Sequence, residues 1–138
     1  MNKILKSKSV LSVVVALLIV ACTPDGGGGG NNVAGKIKGV YYILNSGDWK
    51  SNNSSLTKYD GVTGKTEQFF FEQQNGRGLG NTANDVVVYG SKMYIAVAGE
   101  STIEVTDLNA KSIKQIKCEA QPRYMAVYGG KVYVSYYD

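Results

Sequence analysis

Two hydrophobic textures divide the chain. Residues 10–21, VLSVVVALLIVA, form one mostly apolar run of twelve. From about residue 36 the apolar residues instead come in short runs cut by Gly, Asn, Asp and Ser. No 3.6-residue period appears there over any useful length. This second texture predicts an all-β domain. Its clearest stretch contains four expected strands: DVVVYG (85–90), KMYIAVA (92–98), TIEVTD (102–107) and SIKQIKC (112–118). The first two are almost continuously apolar, the pattern of strands covered on both faces. The last two alternate. Alternation puts Ile103, Val105, Ile113 and Ile116 on the buried side and Glu104, Lys114 and Lys117 outward.

The pattern repeats. DVVVYGSKMYIAVAG (85–99) matches YMAVYGGKVYVSYYD (124–138) at a constant offset of 39 residues. Tyr89-Gly90-Ser91-Lys92 aligns with Tyr128-Gly129-Gly130-Lys131, and Tyr94 with Tyr133. A fainter earlier copy aligns YILNSG (42–47) with YIAVAG (94–99) and SLTKYD (55–60) with TIEVTD. Four short strands per period of about 40 residues is the signature of a β-propeller blade. The count is three strands in the first copy, four in the second and two in the third. The expected fold is therefore an incomplete β-propeller of just over two blades, whereas closure takes about 4 to 8. A truncated reading frame or a fragment is the main expectation. The alternatives are closure by self-association, or a small sheet that borrows the repeat grammar.

The N-terminal run is too short to span a bilayer, which takes about 20 residues. Lys3, Lys6 and Lys8 precede it, as in a secretory signal. It ends in Ile19-Val20-Ala21-Cys22, which resembles the lipobox of bacterial lipoproteins. That resemblance implies cleavage before Cys22 and lipid on its sulfur and new amino group. Several acyl chains together give anchoring that a single chain does not. The next ten residues, TPDGGGGGNN, contain no core-forming side chain and would span about 17–19 Å as a flexible tether. The domain reading is a lipoprotein signal over 1–21, lipidated Cys22 with a Gly-rich linker over 22–35, and a partial propeller over 36–138.

The leader also accounts for the charge. The formal net charge is +4, but three of the 15 basic residues lie in the leader and no acid does. Without it, 12 basic residues face 11 acidic ones, a net +1. No basic face remains for nucleic acid. The chain has no histidine, which removes the commonest general base and rules out Ser-His-Asp and Cys-His catalysis within it. Cys118 has no intramolecular partner once Cys22 is lipidated, and reads as a small buried hydrophobe. GVTGKT (61–66) lacks the first glycine of a phosphate loop, because Tyr59 stands there, and reads as a turn. GRGLGN (76–81) leads into a strand rather than a helix and reads as a flexible loop. Asp60 and Asp107 end equivalent strands and read as turn caps. The Asn-Asn-Ser-Ser run (52–55) reads as a solvated loop tip.

Alternate connections of an up-and-down blade fall on one end. The long, varied segments NSGDWKSNNSS (45–55), EQQNGRGLGNTAN (72–84) and EAQPR (119–123) therefore share a face. Trp49, Arg77 and Arg123 lie in them, and Asn84, Asp85, Arg123 and Tyr124 fall near the mouth of the central channel. These six residues are the candidate ligand-binding set, since aromatic and Arg side chains are favoured anchors. No catalytic constellation, metal set or cofactor is expected.

KVYVSYYD, TIEVTDLNAKSI and EAQPRYMAVYGGK resemble the YVTN or YncE-like β-propeller family. YILNSGD…SSLTKYDGVTG…LGNTANDVVVYG further resembles a lipoprotein subset from gram-negative gut bacteria. The similarity covers about residues 39–138. It implies a non-enzymatic, outer-membrane, surface-exposed capture module. The implied ligand is cobalamin or another corrinoid, and the implied partner an outer-membrane transporter. Alternatives are a glycan- or protein-binding propeller, a cell-envelope scaffold, or a quinoprotein- or lactonase-type enzyme. The inner leaflet of the outer membrane is the alternative location, because Asp25 is the only acid near the lipid site. Metabolic labelling with palmitate is expected to mark the wild-type chain. A Cys22→Ser variant that stays labelled refutes the lipid site.

Overall fold

The fold was obtained as a computed structural model that describes residues 38–137. The expected signal, Cys22 and the Gly-rich linker lie outside the described residues. The domain is all-β, with nine strands in three antiparallel sheets that follow chain order. The first sheet holds β1 (Val40–Asn45), β2 (Ser55–Asp60) and the short β3 (Thr66–Glu67). The second holds β4 (Ala83–Tyr89), β5 (Lys92–Val97), β6 (Thr102–Asp107) and β7 (Ser112–Lys117). The third is the hairpin β8 (Pro122–Tyr128) and β9 (Lys131–Tyr136). The counts of three, four and two match the repeat reading. The array is open, as expected of part of a β-propeller.

Consecutive sheets stack through two apolar seams. Strand alternation decides which residues enter each. Met93, Ile95 and Val97 of β5 face the first sheet and join Leu56, Leu44 and Tyr42 there. Tyr94 and Ala96 of the same strand face the other way. They meet Met125, Val132 and Val134 of the third sheet, with Ile103 and Val105 of β6 beside them. The second sheet is thus covered on both faces, which explains its near-continuous apolar runs. β4 packs against both β1 and β8.

Polar ties accompany the apolar seams. The Tyr42 hydroxyl donates to the Leu108 carbonyl at 2.6 Å. Burial, and next the Asp107 charge, hold that phenol above its ordinary pKa. Ser54 is fully buried rather than part of a solvated tip. Its hydroxyl donates to the Ser46 carbonyl and accepts from the Ala83 N–H, tying the first sheet to the start of β4. Ser55 is buried beside it.

Four further expectations are corrected. A one-and-a-half-turn helix, α1 (Phe70–Asn75), occupies the start of the expected 72–84 loop. Phe70 and Phe71 are buried in the first seam, so packing rather than propensity holds so short a helix. Glu104 is not outward but fully buried. The chain from α1 to β4 runs over that face of the second sheet and brings a cation to it. Ile113 and Ile116 are exposed, at 55% and 43%. Ile116, on the outer edge strand β7, pairs with Ile103 and lies beyond the strands that the third sheet packs against, and Ile113 sits at the register shift between β6 and β7. Cys118 is half-buried against the second seam rather than fully enclosed.

The turn caps form as expected. Asp60 Oδ1 accepts from the N–H groups of Val62 and Thr63, at 2.8 and 3.1 Å. Asp107 Oδ1 does the same for Asn109 and Lys111, both at 2.8 Å. The backbone donors from Thr63 and Val62 lower the Asp60 pKa below the ordinary carboxylate value. A depressed folded-state pKa contributes stability above the unfolded value, and that contribution is lost as pH falls through the folded value. Asp60→Asn is expected to lower Tm at neutral pH, with the gap to wild type closing in acid. Thermal melts across that range check this.

Candidate functional site

The expected loop face carries a broad open groove of about 650 Å³. Three connections build its walls. Asn52 comes from the β1–β2 connection, Arg77 to Asn81 from the segment before β4, and Glu100 from the β5–β6 turn. Thr102, Gln115 and Lys117 line the outer strands beside them. The loops are joined to one another by hydrogen bonds. Asn81 Oδ1 accepts from the Asn52 N–H, and its Nδ2 donates to Glu100 Oε1. The Gly80 carbonyl accepts from the Ser54 N–H at 3.1 Å. Lys117 Nζ donates to the Glu100 carbonyl at 2.8 Å.

Two glycines permit this packing. Gly80 has φ +132°, and a Cβ there would come within 2.8 Å of both Val97 and Glu100 side chains. A Cβ on Gly99 would lie 2.7 Å from the Asn81 carbonyl oxygen. The GRGLGN stretch thus needs glycine for close approach between loops, not for phosphate binding.

Under the groove lies the buried Glu104 carboxylate. Arg77 Nη2 donates to both of its oxygens at 3.0 Å. Gln115 Nε2 donates to Oε2 at 2.7 Å, and the Ser112 hydroxyl donates to Oε1. Arg77 also lies over the Phe71 ring, 4.9 Å from its centroid. A carboxylate taken from water needs a cation and further donors, and Glu104 has both. Sequence alternation missed it because its cation stands 27 residues away, in a different connection. Glu72 of α1 contrasts with it. Its Oε2 is buried without a partner, and burial raises its pKa above the ordinary value.

The six candidate residues divide into separate places. Arg77 lines the groove while its charge is engaged by Glu104. Trp49 is 52% exposed in the β1–β2 connection and is not among the groove-lining residues. Asn84 and Asp85 lie in the seam between the second and third sheets. Asn84 Nδ2 donates to the Pro122 carbonyl at 3.1 Å, and Asp85 Oδ2 accepts from the Met125 N–H at 2.7 Å. Arg123 and Tyr124 are the second and third residues of β8 itself. The Arg123 guanidinium lies over the rings of Tyr124 and Tyr137, at 5.0 and 4.8 Å. Four of the six therefore gather around the start of β8. Asn52, Asn81, Glu100, Gln115 and Lys117 are groove residues that sequence reasoning did not single out. Their only advance signal was position in or beside the long connections.

Among the described residues no group of three or more Cys, Asp or Glu is placed to hold a metal ion. No helix there is long and apolar enough to cross a membrane. No protein-family model and no curated protein matches the chain.

Arg77→Ala leaves a buried carboxylate without its cation and is expected to cost about 3 kcal/mol or more. Arg77→Met combined with Glu104→Leu removes both charges and is expected to cost less than Arg77→Ala alone. Urea unfolding of the two variants measures the difference.

Proposed function

We propose that this chain is a non-enzymatic capture module of the YVTN or YncE-like propeller type. Lipid on Cys22 anchors it to the outer membrane, and it takes up a polar ligand on its loop face. The observation that carries this reading is the groove. It is concave, lies where the long connections converge, and is lined by amides and charges fixed in place by one another. Such pre-ordered polar groups bind without a large ordering cost.

The best-matched ligand is a corrinoid, which carries a rim of amide groups and, in cobalamin, a phosphodiester. Asn52, Asn81 and Gln115 offer amide partners, and Lys117 offers a cation. Handover to an outer-membrane transporter follows from the same family resemblance. The cluster of Arg123, Tyr124 and Tyr137 favours a second reading, a glycan ligand, because exposed aromatic faces and a guanidinium suit sugar rings. The lack of histidine supports binding over catalysis in either case.

Calorimetry of the full chain in detergent with cyanocobalamin is expected to give saturable heat. Gln115→Ala combined with Lys117→Ala is expected to weaken it about tenfold, the loss of roughly one good polar contact. No heat at saturating ligand overturns the corrinoid assignment.

A further inference from the structure

What the groove can hold depends on which of its groups still have hydrogen-bonding capacity. Arg77 and Glu104 face it unequally. The Arg77 side chain is 40% exposed and the Glu104 side chain 0%, so the groove meets the cation and not the carboxylate. The carboxylate also accepts from Gln115 and Ser112, and Arg77 reaches this cluster through Nη2 alone. Nη1 makes one long contact, 3.4 Å, to the Gly78 carbonyl. Among the described residues Nε has no partner. One edge of the guanidinium fork is therefore unspent, and that fork suits oxyanions.

Lys117 lies on the same face of the second sheet. Glu104 pairs with Gln115 and Thr102 with Lys117, so the lysine stands two residues along β7 from Gln115. That is about 7 Å along the strand. Its ammonium has three hydrogens, and one is spent on the Glu100 carbonyl. The loop from Gly78 to Gly80 adds backbone donors. Leu79 buries its side chain in the first seam. Among the described residues the N–H groups of Gly78, Leu79 and Gly80 are not spent on any backbone carbonyl. All three residues line the groove. Packing fixes the glycines here, and that packing leaves their N–H groups spare. Against two cations the lining residues include one carboxylate, Glu100, whose Oε1 accepts from Asn81.

We propose that the groove reads a phosphate-type oxyanion on its ligand, held between the outer edge of Arg77 and the Lys117 ammonium. The inference rests on the reading of the groove as the binding surface and adds the group that this surface recognises. A phosphate presents oxygens in several directions and meets donors on two walls at once, whereas a carboxylate presents two oxygens in one plane. Arg contributes a directed fork and Lys a point charge, the two usual ways of holding phosphate. Glu104 holds the guanidinium from beneath, so little ordering is left to be done when the anion arrives.

Amide NMR of the full chain, in a detergent that carries no phosphate, tests this with dimethyl phosphate and inorganic phosphate as probes. The amides of Gly78, Gly80 and Lys117 are expected to shift and to saturate at millimolar probe. Sodium chloride at equal ionic strength is expected to give no saturable shift. Lys117→Gln is expected to weaken binding about tenfold, the loss of one charge-assisted contact. Glu100→Gln keeps an acceptor for Asn81, removes the carboxylate from the lining, and is expected to tighten binding about threefold. Lys114→Gln removes the same charge from the opposite face of β7 and is expected to bind like wild type. Phosphatidylglycerol added to the micelles reproduces the shifts if a lipid headgroup supplies the oxyanion, and leaves them unchanged if a soluble ligand does; either result supports the site once the soluble probes saturate. Saturable phosphate shifts without cyanocobalamin heat support the anion site and overturn only the corrinoid assignment. Cyanocobalamin heat without a phosphate response overturns the anion site alone. So does a Lys114→Gln chain that weakens binding as much as Lys117→Gln.

Discussion

A sheet that is apolar on both faces has to be covered twice, and the second sheet sets this requirement for the rest of the domain. Its central strand β5 sends Met93 and Ile95 one way and Tyr94 and Ala96 the other. The first sheet satisfies one face and the β8–β9 hairpin the other. Every other feature either extends this stack or closes a gap in it. α1 is an example: a helix too short to persist alone survives because Phe70 and Phe71 fill the first seam.

The groove is a by-product of the same stacking. The connection that leaves α1 crosses the outer part of the second sheet on its way to β4. It thereby covers Glu104 and delivers Arg77 to neutralise it. The ion pair fixes the loop that carries Gly80 and Asn81, and that loop in turn holds Asn52 and Glu100. The groove wall is therefore organised from beneath, by a charge pair that solvent scarcely reaches on the carboxylate side.

Much of the fold was legible in the sequence because its signals are local. The strand runs, the Gly turns and the 39-residue offset placed eight of the nine strands, counted the ninth, β3, without locating it, and divided them correctly among three sheets. Asp60 and Asp107 were legible as caps for the same reason, since their partners lie two to four residues away. The misreadings share the opposite property. Glu104 is buried by a residue 27 positions distant, and Ser54 by the start of β4. Ile116 carries an inward pattern, but among the described residues no strand packs over it, and Ile113 falls at the β6–β7 register shift, which breaks the alternation. Of the candidate site, the face was legible from topology. The groove-lining residues were not, because which loops touch depends on close approaches at Gly80 and Gly99.

The seams have a consequence for how the domain comes apart. Among the described residues the extensive packing joins sheets that are neighbours in chain order, so cooperativity runs along one dimension, through two interfaces in series. The middle sheet takes part in both, while each end sheet takes part in one. Of the three described sheets the middle one is thus held from both sides, and amide protons of its central strands β5 and β6 exchange slowly. The groove leans on the middle sheet through Glu104, Thr102 and Gln115. Its floor thus belongs to the sheet that is held on both faces, and a ligand seated there would lean on the best-supported of the three.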